Sequence, residues 1–302
     1  LQFDNYKFNH DESKLLLEVE SKSIYRYSTE SYIYEYNLEE KKLTKVSDNK
    51  IRLANFSPNG KLISYVYENN LFIYNIKNQK TIQCTEDGEV NNIINGATDW
   101  VYEEEFAIVK GYEWSNDSKY LAYYVFDESE VKEFSMDIFN SNLYPEQSKF
   151  KYPKAGEKNS IVKIFIFDTE KKEHTQANLQ TSKDDYIPRI NWTKDSKLCV
   201  QKLNRHQNHL QLIFVNPKSG KSSLIYEEFD DFYIDIHDNL IFTDNGFLWS
   251  SEKDGYNHLY FYNYQKSKMK KITKGDWEVT NFYGYDDEKN ILYYHFKIFC
   301  YI

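Results

Sequence analysis

The stretch "YEWSNDSKYLAYYV", Tyr112 to Val125, decides the fold. An aromatic residue closes a short run, Ser-Asn-Asp-Ser supplies a polar turn, and a run rich in Tyr, Leu, Ala and Val follows. Asn, Asp and Ser tolerate tight turn conformations, while aromatic and β-branched side chains suit a half-buried pleated surface. The stretch therefore reads as two antiparallel strands joined by a hairpin turn. The same unit recurs as "YKFNHDESKLLLEV" (6–19), "ANFSPNGKLISYVY" (54–67), "INWTKDSKLCVQKL" (190–203), more loosely "LIFTDNGFLWSS" (240–251), and "YGYDDEKNILYYH" (283–295).

The aromatic anchors of the six copies are Phe8, Phe56, Trp114, Trp192, Phe242 and Tyr285, separated by 48, 58, 78, 50 and 43 residues. A four-stranded propeller blade takes roughly 40 to 50 residues, so the spacing predicts an all-β chain of blades. Second hairpins such as "NNLFIYNIKNQKTIQCT" and "NHLYFYNYQKSKMKKIT" supply the outer strands. Both overlong spacings adjoin the third anchor. One contains "DWVYEEEF" (99–106), and the other contains the 34 residues from Asp127 to Ser160. Insertions into a regular scaffold are where function tends to sit. Val131, Phe134, Met136, Ile138, Phe139 and Leu143 make the longer one too apolar for a floppy surface loop, so an arm that packs on a partner is expected.

Composition agrees with a sheet-rich protein: aromatics make up 18% of the 302 residues, with 28 Tyr and 20 Phe. The net charge of -9 comes from 47 acidic and 38 basic residues interspersed along the chain, which argues against nucleic acid and favours a cationic ligand. Cys84, Cys199 and Cys300 lie far apart with no CxxC spacing, so no zinc site or disulfide framework is indicated, and Cys199 reads as a core thiol. No apolar run reaches the roughly 18 residues that span a bilayer. No G-x-S-x-G, H-E-x-x-H or Gly-rich phosphate loop occurs, so no catalytic residue, metal or cofactor is expected on this chain. His206 and His209 read as polar turn residues.

"DWVYEEEF" sets three glutamates among large apolar side chains, and such carboxylates need a positive partner. Thr98 or Asp99 can cap a short helix, whose positive end favours glutamates in its first turns. Glu104 and Glu105 sit about 100° apart around such a helix, close enough to converge on one small cation. An α-ammonium group suits them, having three donors and being largely protonated at neutral pH. At about 4 Å each carboxylate contributes on the order of 1 kcal/mol in water and several times that in a partly desolvated pocket. A solvated acidic rim over a packed Trp100 and Tyr102 is the purely structural alternative, and calcium would want more oxygen ligands than this run offers.

"NGATDWVYEEEF" (95–106), followed by "FDESEVKEF", "YPKAG" and "VKIFIFD", resembles the dipeptidyl peptidase IV family of prolyl oligopeptidase-type serine exopeptidases. "IYRYSTESYIYEYNL", "NRHQN", "KDGYNHLYFY" and "ITKGDWEV" extend the resemblance along almost the whole chain. It implies the N-terminal part of an eight-bladed β-propeller, about six blades of it, as one partial domain over 1–302, with the α/β-hydrolase domain and its Ser-Asp-His triad absent. The full-length parent would be a serine-type dipeptidyl-peptidase that removes X-Pro or X-Ala dipeptides from peptides with a free N-terminus, and this portion alone would be inactive.

By the same resemblance Glu104 and Glu105 bind the substrate's amino group, and Arg26 of "IYRYS" contacts the glutamates and the substrate carbonyl. Glu103 is left as a bystander. The 127–156 segment corresponds to a homodimerisation arm, and the location implied is periplasmic, secreted or at the cell surface. "FKIFCYI" at the C-terminus fits no expected blade segment, and a truncated or frame-disrupted product is the expectation there. The competing reading is a non-enzymatic propeller scaffold that presents a protein-binding face.

Overall fold

In the computed structural model residues 2–298 are described, and Cys300 with the rest of 299–302 lies outside them. The first sheet is β1 (Asn5–Phe8), β2 (Lys14–Ser23), β3 (Thr29–Asn37) and β4 (Lys42–Lys45), and the second is β5 (Arg52–Phe56), β6 (Leu62–Tyr67), β7 (Asn70–Asn75) and β8 (Lys80–Gln83). Next come β9 (Ile93–Asn95), the helix α1 (Trp100–Glu105), β10 (Tyr112–Trp114) and β11 (Tyr120–Asp127). The hairpin β12 (Glu133–Ile138) and β13 (Glu146–Lys151) interrupts the third sheet before β14 (Ile161–Asp168) and β15 (Glu173–Gln176) complete it. The fourth sheet is β16 (Tyr186–Trp192), β17 (Leu198–Leu203), β18 (His209–Val215) and β19 (Ser222–Phe229). The fifth is β20 (Ile241–Thr243), β21 (Gly246–Ser251), β22 (His258–Asn263) and β23 (Lys268–Lys271), and the last pair is β24 (Trp277–Asp286) with β25 (Ile291–Ile298).

This is the expected β-propeller architecture: antiparallel four-stranded meanders in sequence order, with both insertions in the third blade. Each aromatic anchor lies on the first strand of its blade. Phe296 to Ile298, expected to fit no blade segment, instead extend β25 and pair with Trp277 to Val279 of β24. The same apolar alternation that makes the earlier second strands carries through them.

The turns after the anchors repeat one construction. Ser57, Ser115 and Thr193 use their hydroxyls to accept the backbone N–H of Leu62, Tyr120 and Lys197 at 2.9 to 3.0 Å. The residue three positions after each hydroxyl takes a left-handed conformation: Gly60, Ser118 and Ser196 at φ of 64°, 61° and 58°. Short polar side chains and Gly reach that region at least cost, which is why these turns read so clearly.

Burial follows strand position. Second strands such as β21 are buried on both faces because they lie between neighbouring blades, while outer strands such as β4, β8 and β15 are mostly exposed. Large anchors close the seams. The Trp114 indole donates to Ser64 Oγ of the second blade at 2.8 Å, and the Trp192 indole donates to the Glu113 carbonyl of the third at 2.9 Å. Cys199 is fully buried in the core, as expected of a structural thiol. His209 stacks on Phe229 with 3.8 Å between ring centroids, and so serves the strand-end packing.

The indole bond across the second seam has a measurable consequence. Trp114→Phe keeps most of the apolar contact but leaves Ser64 without its donor, a loss of about 1 to 2 kcal/mol. A denaturant titration should show a lower midpoint with an unchanged slope.

Candidate functional site

Asp99 caps α1 in extended backbone (φ -76°, ψ 176°) and accepts the Tyr102 N–H at 2.9 Å through Oδ1. Its other oxygen accepts the Ser160 hydroxyl at 2.6 Å, so the cap also ties the far root of the arm to the helix. Asp99, Tyr102, Glu103 and Phe106 follow i, i+3, i+4, i+7 spacing and form one inward stripe, each of them buried. Tyr102 lies edge-on against Phe106 and Phe126, and its hydroxyl accepts the Ile187 N–H of the fourth blade at 2.9 Å. Beyond the last turn, Arg189 Nη1 donates to the Phe106 carbonyl at 2.8 Å while its Nε pairs with Asp238. The chain then returns so close to its entry that a Cβ on Gly111 would meet the Ala97 carbonyl oxygen at 2.7 Å, which demands Gly there.

The three glutamates separate by role. Glu104, with 15% of its side chain exposed, faces Arg26 of the first blade, with 3.1 Å from Oε2 to Nε. Glu105 is exposed and makes no ion pair among the described residues. Its charge reaches the 230–238 loop, where burial, Asp235 and then Glu105 raise the Tyr233 hydroxyl above its ordinary pKa. The structure thus brings Arg26 and Glu104 together and leaves Glu105 unpaired beside them.

Glu103, expected as a bystander, is fully buried instead. Its Oε1 accepts the backbone N–H groups of Tyr27 and Ser28 at 2.7 and 2.9 Å. The helix periodicity explains the error, because position 103 falls within the apolar stripe whereas 104 and 105 turn out of it. Counting the stripe from Asp99 would have found it in the sequence.

A cavity of about 900 Å³ opens between α1 and the β12–β13 hairpin, with Arg26, Glu104, Trp100, Phe134, Phe150 and Tyr152 among its walls. Trp100 stands over Tyr152 with 4.4 Å between ring centroids, so the root of the arm packs on the helix. The arm's tip is different: Phe139, Leu143 and Tyr144 are exposed.

Residues 9–296 match the family model described as the dipeptidyl peptidase IV N-terminal region. The chain belongs to the dipeptidyl peptidase IV family. The crystal structure of Porphyromonas gingivalis dipeptidyl peptidase 4 superposes with a TM-score of 0.91 at 38% identity, over 97% of this chain and 42% of that one. Dipeptidyl aminopeptidase B of Saccharomyces cerevisiae is 29% identical over 94% of this chain and 37% of its own length. The human prolyl endopeptidase FAP is 28% identical over 92% of this chain and 40% of its own. The chain thus spans about two fifths of the length of these relatives.

Within this family region, the base of the helix carries a second acidic pair. Glu128, at the near root of the arm, is buried, and burial reinforced by the Asp99 carboxylate pushes its pKa up to about 7, opposed by Lys151. A carboxyl whose folded pKa exceeds its unfolded value binds its proton more tightly in the native state. It costs no stability near pH 4, and stability declines as pH rises from about 4.5 through 7. Glu128→Gln, which stays neutral, should match the wild type in urea unfolding at pH 5 and exceed it by on the order of 2 kcal/mol at pH 8.

Proposed function

We propose that this chain is the substrate-selecting propeller region of a dipeptidyl peptidase IV-like serine exopeptidase. In this reading Glu104 and Glu105 receive the free N-terminal ammonium of a peptide, and Arg26 orients Glu104 and contacts the substrate carbonyl. The observation that carries it is the Arg26–Glu104 pair at 3.1 Å, which joins two distant segments of a family member at the wall of an open cavity. Removal of X-Pro or X-Ala dipeptides would be performed by a catalytic region beyond these residues.

The chemistry favours exopeptidase selection. Arg26 offsets the repulsion between adjacent carboxylates and fixes one of them, leaving Glu105 free to meet the incoming charge. A peptide with a blocked N-terminus would desolvate these carboxylates and leave them unpaired, so discrimination comes from the penalty on the wrong ligand as much as from attraction to the right one. The location that accompanies this reading is periplasmic, secreted or cell-surface.

Titration of the chain with Gly-Pro-Ala and with its N-acetyl form should show binding of the free amine only, weakening above pH 8 as the α-amine loses its proton. Glu104→Gln and Glu105→Gln should each reduce that affinity at least about tenfold, and should lower kcat/KM in a full-length peptidase carrying this region. Equal binding of both peptides would favour the non-enzymatic scaffold.

The exposed tip of the arm supports a second element of the proposal, a homodimer contact through 127–156. Leu143 and Tyr144 are 87% and 80% exposed, a costly placement for isolated large apolar side chains at a hairpin tip. Leu143→Asp combined with Tyr144→Asp should halve the mass seen in sedimentation of the full-length peptidase without changing its far-ultraviolet spectrum.

A further inference from the structure

Arg26 has 64% of its side chain exposed, and an exposed arginine held by one carboxylate would sample many rotamers. Its backbone is another matter. The two N–H groups that follow it, those of Tyr27 and Ser28, both end on the buried Glu103 oxygen from a segment 75 residues away. Glu103 immediately precedes Glu104 on the helix, so one dipeptide holds both the loop and the side chain of Arg26.

A partly buried cation, Arg52, lies within electrostatic reach of Glu103. Arg52 is lowered in pKa by burial, and Tyr25, Glu103 and Glu30 act against that lowering. Its Nε and Nη2, like Oε2 of Glu103, are buried without a hydrogen-bond partner among the described residues. The backbone beside Arg52 is strained: Leu53 sits at φ 61°, and the β5–β6 register shifts between Arg52 and Asn55. A bulky residue in the left-handed region persists only where its surroundings impose it, and here the Tyr112 hydroxyl donates to the Leu53 carbonyl. Bulges of this kind re-aim the adjacent side chain. The bulge thus fixes where Arg52 stands, within electrostatic reach of Tyr25, Glu103 and Glu30.

We infer that Glu103 is a positioning residue for the Arg26–Glu104 pair. Glu103 touches no substrate in this arrangement; it sets where the Arg26 guanidinium stands relative to Glu104. The inference rests on the amine-recognition reading above for its consequence in binding, but its structural part stands without a ligand.

The test uses the full chain and two measurements. Hydrogen exchange by mass spectrometry follows segment 24–30, with Ser31, whose N–H bonds to the Ile51 carbonyl, as internal reference. Titration with Gly-Pro-Ala and N-acetyl-Gly-Pro-Ala follows binding. Glu103→Ala should speed exchange at Tyr27 and Ser28 at least tenfold with the reference unchanged, and should lower free-amine affinity at least tenfold. Glu103→Gln keeps an acceptor for the two N–H groups but loses the charge, so smaller changes in the same direction, about threefold, are expected.

Wild-type exchange and affinity in a folded Glu103→Ala would overturn the inference. If that variant does not fold, wild-type values of both in Glu103→Gln would overturn it. Glu104→Gln separates the two readings: unchanged amine affinity there defeats the recognition reading, while the exchange result still decides whether Glu103 holds the Arg26 loop.

Discussion

A six-residue helix cannot hold itself together in water, since nucleation costs more than so few hydrogen bonds return. Every feature of α1 is therefore borrowed from the blades around it. Ser160 completes its cap, the Ile187 N–H donates to the Tyr102 hydroxyl, Arg189 donates to the Phe106 carbonyl, and the Tyr27 and Ser28 N–H groups bind its buried glutamate. The first, third and fourth blades all contribute, so the position of Glu104 depends on how the blades sit against one another. Close-packed seams with indole hydrogen bonds make that relation rigid.

Charge is distributed in the same economical way. The Arg26–Glu104 pair is half open to solvent, and a pair of that kind contributes at most about 1 kcal/mol to stability. Its value lies in orientation. The buried Glu103 is in the opposite situation: two backbone N–H groups end on one of its oxygens, and losing the acceptor would leave them unpaired in the interior. Two adjacent residues of one helix thus belong to different layers, Glu103 in the interior and Glu104 at the cavity wall.

The second, third and fourth blades were legible because each states itself twice, in an aromatic anchor and in a hydroxyl-capped turn with a left-handed fourth residue. Those signals are local, so Phe56, Trp114 and Trp192 could be placed without knowing their neighbours. Glu104 and Glu105 could be singled out from their place on a short helix among aromatics, whereas Arg26 came from family resemblance, and its pairing with Glu104 depends on a contact between residues 78 positions apart that no local pattern encodes. Glu103 was misassigned because an acidic residue was read by its charge before its place on the helix was counted. The 230–238 loop left no trace in the repeat, since loops between blades obey no period.

The arm joins this arrangement through its roots. Ser160 at its far end bonds the helix cap, and Tyr152 packs on Trp100. Both contacts converge on the start of α1, opposite the end held by Arg189. A helix this short behaves as a rigid peg, so a displacement of the arm's roots has to move the peg or break the cap. The cap is the stronger of the two, being a buried carboxylate with two hydrogen bonds. Whatever seats the arm therefore also seats Glu104, which places the insertion of helix and arm in one blade among the constraints on the site.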